Sequence, residues 1–123
     1  MSLALVYRLN GLVGLFWAAS MWFGRDEMAA AYGWDEVTPA MVTMSQFLGM
    51  SFLFVAIIFI MLPNWTSLEQ LKKATITLIL LQILAVVLQV FHILSDAIPS
   101  GGMQYFGIGL STLFIVLFYW KSR

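Results

Sequence analysis

No cysteine occurs in the chain, which excludes disulfides, zinc–thiolate sites, iron–sulfur ligation and thiol redox chemistry within it. Charge is nearly as scarce. Only 10% of the residues are charged, against roughly a quarter in a soluble domain. Six basic and six acidic side chains cancel, leaving no general attraction to nucleic acid. The single histidine, His92, cannot supply both imidazoles of a bis-histidine haem. A methionine or a second copy of the chain would have to give the other ligand.

What remains is apolar: 62% of the residues are hydrophobic, gathered into four runs, Leu3–Phe23, Pro39–Leu62, Ala74–Leu94 and Met103–Trp120. A bilayer core about 30 Å thick needs about 20 helical residues, and each run qualifies. Unsatisfied backbone is too costly in hydrocarbon for anything but helices or closed barrels. Continuous apolar runs, rather than strict alternation, select helices. The expectation is an all-α membrane protein with one domain over residues 1–123, a four-transmembrane-helix bundle with helices at about 3–23, 39–62, 68–95 and 103–120. The first run is too long for a signal-peptide core and holds its only nearby basic residue, Arg8, inside it, so it is expected to be retained.

The connections carry their own signals. Thr38 before Pro39 reads as an N-cap with proline at the first helical position. In "LPNWTSLEQLKK" the second helix is expected to stop near Pro63, and Thr66 with Glu69 forms a candidate capping box for the third. Asp26–Tyr32 reads as a short interfacial helix closed by Gly33, with Trp22, Phe23, Tyr32 and Trp34 at headgroup level. Arg8, Lys72, Lys73, Lys121 and Arg123 fall on one side of the four spans, and Arg25 alone on the other. The positive-inside rule then places both termini in the cytoplasm, N-in and C-in.

One helix carries a polar stripe. Thr75, Gln82, Gln89 and Asp96 recur every seven residues, and His92 lies between the last two, so all share a helix face. Treating helices 2 and 3 as an antiparallel hairpin puts Gln46 at the depth of Gln89, in the outer half with Trp17. These six residues (Trp17, Gln46, Gln82, Gln89, His92 and Asp96) are the candidate ligand-binding set. Glutamines also serve as interhelical hydrogen-bonding groups at about 0.6–2 kcal/mol per contact, which is the plainer role for Gln46, Gln82 and Gln89. Asp96 can equally cap its helix or bond to His92. Small residues four apart, Gly14 with Ala18, Ser45 with Gly49 and Gly107 with Ser111, mark candidate helix-packing faces.

No catalytic set or metal site assembles. His92 and Asp96 give two ligands at most, and Ser95 points away from them as a nucleophile. The outward-facing methionines Met28, Met41, Met44 and Met103 have the softness for copper(I), but methionine in an apolar chain reads first as packing. No cofactor is expected; a quinone or lipid is the chemistry an outer-half site would suit.

The segment "YRLNGLVGLFWAASMWF…MAAAYGW" with "SQFLGMSFLFVAIIFI" resembles the small bacterial four-helix membrane proteins grouped as DoxX-like. The resemblance lies in the glycine-containing first helix, the Tyr32–Gly33 turn and the Gln46–Gly49 opening of the second helix, over roughly the first half. It implies a bacterial inner-membrane protein, and some members are associated with redox enzymes. Two functions are expected from different classes. One is a non-catalytic subunit of a larger membrane complex, or a homo-oligomer, partnered by lipid and by other membrane chains. The other is a binding protein for a quinone, lipid or other small hydrophobe; a proton-linked transporter or enzyme using His92 and Asp96 stands third.

Overall fold

The computed structural model describes all residues 1–123, most of them helical and none in a strand. Five helices follow one another: α1 (Leu3–Phe23), α2 (Arg25–Ala31), α3 (Pro39–Trp65), α4 (Leu68–Leu94) and α5 (Gly102–Ser122). Four of these, all but α2, are long and apolar enough to cross a membrane. The chain is thus a helical, multi-pass membrane protein by length and composition.

The helix boundaries follow from local chemistry. Pro39 opens α3, and the Thr38 hydroxyl accepts the Met41 N–H at 3.3 Å, the bond an N-cap makes. At its other end α3 does not stop at Pro63 but runs on to Trp65. Proline in the last turn removes one N–H donor, a loss that membrane helices tolerate. The cap of α4 is displaced by one residue from the Thr66–Glu69 expectation. Ser67 is the N-cap, its hydroxyl accepting the Gln70 N–H at 3.3 Å while the Gln70 side chain accepts the Ser67 N–H at 3.0 Å. Thr66 is occupied elsewhere: its hydroxyl donates to the Leu62 carbonyl at 2.8 Å and closes α3. Glu69 instead pairs with Lys73 at 2.9 Å on the exposed surface, a contact worth at most about 0.5 kcal/mol.

Two compact units form, Tyr7–Met61 and a second made of Met1–Val6 with Leu62–Arg123. In the first, α1 and α3 run antiparallel. The Tyr7 and Phe59 rings meet edge to face at 5.8 Å. Farther along, Gly11 and Gly14 lie against Ala56, which is fully buried. At the far end the Ser45 hydroxyl donates to the Met21 carbonyl, and Trp22 Nε1 donates to the Gln46 carbonyl at 3.1 Å. Apolar side chains gain little from leaving lipid for protein, so close backbone approach at small residues is what holds such a pair. Ala18 and Gly49 are buried, and Gly49 faces Trp22 and Met21. Gly11 and Ala56, which also meet across this pair, fall outside the pairs that four-residue spacing singles out.

In the second unit α4 and α5 are also antiparallel. The Lys72 ammonium donates to the Arg123 carbonyl at 3.1 Å near one end, and Gln89 Nε2 donates to the Gln104 carbonyl at 3.4 Å near the other. Gly107 faces the Gln89 amide, whereas Ser111 is only half-buried. Phe114 and Phe118 are buried with ring centroids 6.2 Å apart.

Candidate functional site

The polar stripe of α4 holds along most of its length but has two different ends. Leu71, Thr75, Leu78, Gln82, Val86, Gln89 and Ile93 form a buried or half-buried series, spaced by three or four. Thr75 is fully buried and returns its hydroxyl proton to the Leu71 carbonyl at 2.7 Å. Gln89 is tied to the Gln104 carbonyl, an interhelical bond. Gln82 has no such tie: its Oε1 is buried without a hydrogen-bond partner.

Asp96 departs from the stripe altogether. The helix ends at Leu94, and Asp96 is exposed in the left-handed region with φ 55°. Its N–H donates to the Ile93 carbonyl at 3.2 Å, and the Ala97 N–H donates to the His92 carbonyl at 2.9 Å. That pair of bonds is a Schellman closure with Asp96 in the position glycine usually takes. No ion pair joins Asp96 to His92, and Asp96 lies in a turn beyond the end of α4. By its position and its backbone bonds the residue serves as the C-terminal cap of α4. Asp96→Gly is expected to raise stability by about 1 kcal/mol by relieving the left-handed cost of a side chain. Unfolding in detergent measures this; a loss of stability would restore a role to the carboxylate.

Trp17 and Gln46 belong to the Tyr7–Met61 unit, while Gln82, Gln89, His92 and Asp96 belong to the other. The Trp17 ring packs edge to face on Phe16 at 5.4 Å, and the Gln46 side chain is exposed.

A cavity forms from other residues, and none of those six lines it. Within the Tyr7–Met61 unit lies a largely apolar groove of about 710 Å³, inside the ~300–1,000 Å³ range of small-molecule sites. Three elements and a loop build it. From α1 comes Met21; from α2 come Arg25, Met28 and Ala29; the connection gives Tyr32, Trp34 and Val37. The first half of α3 contributes Met41, Met44, Ser45, Phe47, Leu48 and others along one flank. Flexible thioethers and rigid rings share the lining, a combination that accommodates varied apolar shapes.

The placement of α2 decides the groove. Gly24 separates it from α1, and burial of Met28 and Ala29 holds the seven-residue helix down. Its end is a second Schellman closure: the Trp34 N–H donates to the Ala29 carbonyl at 2.9 Å and the Gly33 N–H to the Ala30 carbonyl at 3.2 Å. Gly33 has φ 72°, where a residue lacking Cβ is favoured. This turn sets the Tyr32 and Trp34 rings 6.0 Å apart on the groove wall.

Sequence reasoning puts Tyr32 and Trp34 in the headgroup belt, Ser45 on a packing face, and Met28, Met41 and Met44 first in packing, and it singles out none of them for a groove. The signal that points to them is the combination of several methionines, two aromatics around Gly33 and a basic residue close by, Arg25. No group of three or more histidine, cysteine or carboxylate side chains is placed to hold a metal ion. Comparison with protein-family models, with curated proteins and with solved structures returns no match.

Proposed function

We propose that this protein binds a small hydrophobic molecule in the groove between α2 and the first half of α3. The groove itself carries the reading: an apolar cavity of about 710 Å³ with few polar groups and a partly preformed wall. The chemistry it suits is a quinone, a lipid or another membrane-soluble hydrophobe. The same reading takes the four apolar helices as an N-in, C-in bundle in a bacterial inner membrane. The five-to-one basic asymmetry supports that orientation, and the DoxX-like resemblance supports the membrane; a C-terminal reporter that fluoresces only in the cytoplasm tests the former. The groove then opens on the external half.

A photoreactive alkyl diazirine in the membrane provides the test. Labelling that an excess of unlabelled hydrophobe competes away is expected on Met28, Tyr32, Trp34, Met41 and Met44. Competable labelling confined to α4, with none on these residues, would end the proposal.

A second reading, a non-catalytic subunit or homo-oligomer, draws on a separate observation. No residue is fully buried in the most apolar window of α4, although that window includes Gln82 and Gln89. A helix so uncovered has room for another membrane chain. Purification as a detergent-stable monomer without companions would remove that reading.

A further inference from the structure

We propose that the occupant of the groove is a single-chain amphiphile with one negative charge at its head, a long-chain carboxylate, and that Arg25 receives the head. This rests on the groove being a binding site, and it adds the class of ligand. Arg25 is the one charged side chain in the lining. It is half-buried, makes no salt bridge and lies under no aromatic ring. The neighbouring Asp26 and Glu27 are exposed and form no salt bridge with it, so its hydrogen-bond donors stay open to a ligand.

A guanidinium beside an apolar cavity is costly unless something anionic meets it, because partial desolvation weakens its hydration. It is also the group whose planar fork matches a carboxylate with two parallel hydrogen bonds. One guanidinium with two carboxylates next to it in the chain suits a monoanion better than a dianion, since a second negative charge would meet Asp26 and Glu27. The rest of the lining is mostly apolar, Met28, Met41, Met44 and Phe47 among it, and the Ser45 and Ser51 hydroxyls in it are already bonded to the Met21 and Phe47 carbonyls. Charge at one place and grease elsewhere is the complement of a fatty-acid-like molecule.

The test uses the full chain in nanodiscs of zwitterionic lipid, titrated with a brominated long-chain carboxylate and with the alcohol of the same chain. Bromine quenches tryptophan, and Trp34 stands in the wall. The carboxylate is expected to bind more tightly than the alcohol. Arg25→Gln is expected to weaken the carboxylate about ten- to a hundredfold, the usual worth of a charge-assisted pair, and to weaken the alcohol by much less. Equal carboxylate binding by wild type and Arg25→Gln would overturn the head assignment while the groove stood. Displacement of the carboxylate by an equal concentration of a two-chain anionic lipid would overturn the single-chain assignment. Ala40→Trp, which fills the groove from an exposed α3 position, is expected to abolish binding of both amphiphiles. Should it change neither, the groove reading itself fails.

Discussion

Gly11→Leu is expected to cost about 3 kcal/mol or more. A Cβ at Gly11 would lie 2.6 Å from Ile60 Cγ1 and 2.8 Å from the Ala56 carbonyl oxygen. Ile60 can turn away, but the Ala56 oxygen is backbone and buried in α3. To admit the side chain, α1 and α3 must separate, and the contacts at Gly14 and at Tyr7 with Phe59 loosen with them. In lipid no hydrophobic gain compensates that separation. Gly109→Leu is the control, since nothing lies within 4 Å of a Cβ there; a helix interior gains about 1 kcal/mol from losing glycine. Reversible unfolding in detergent or bicelles compares the two. Equal stability of the Gly11 variant and wild type would show that α1 and α3 do not approach at this point.

Gly33→Val is expected to act on binding far more than on global stability. Valine in the left-handed region costs about 1–2 kcal/mol, and α2 has only seven residues to resist it. A helix that short has little stability of its own. With the Schellman closure lost, Tyr32 and Trp34 leave the wall and the affinity for a groove ligand falls about tenfold or more. The α1–α3 contacts lie elsewhere, so the unfolding midpoint should move little. Gly33→Asn, which tolerates the same backbone, is expected to bind nearly as wild type. Loss of binding with asparagine as great as with valine would mean that the turn is not what places the rings.

The contrast between Gly33 and Asp96 shows where sequence is informative and where it is not. Both close a helix with the same pair of hydrogen bonds and a positive φ. Glycine announces that geometry and is legible as the end of α2. Aspartate does not, and at a seven-residue interval from Gln89 it reads instead as the end of a polar face. Helical periodicity assumes that the helix continues, and α4 stops two residues earlier. The spans are legible because continuous apolar runs leave the backbone one solution in lipid. The capping box is legible as a pattern but not in register, since "TSLEQ" holds two overlapping boxes and only α3's demand on Thr66 chooses between them.

The groove is the least legible feature. Soluble proteins mark a pocket by apolar residues amid polar surface, and a membrane protein removes that contrast because its outer surface is apolar too. Met21, Met41 and Phe47 look the same whether they face a ligand, a lipid or another helix. Arg25 is the exception, a cation with no structural partner. Chemistry foreign to its surroundings marks the place in the sequence where packing alone accounts for least.

Native mass spectrometry of the chain, released gently from the membrane in which it is made, tests the groove most directly. One small hydrophobe is expected to stay with each wild-type chain and to be lost from Ala40→Trp, with both proteins equally folded. Wild type and Ala40→Trp carrying the same molecule in the same amount, or wild type carrying none, would contradict a ligand in the groove.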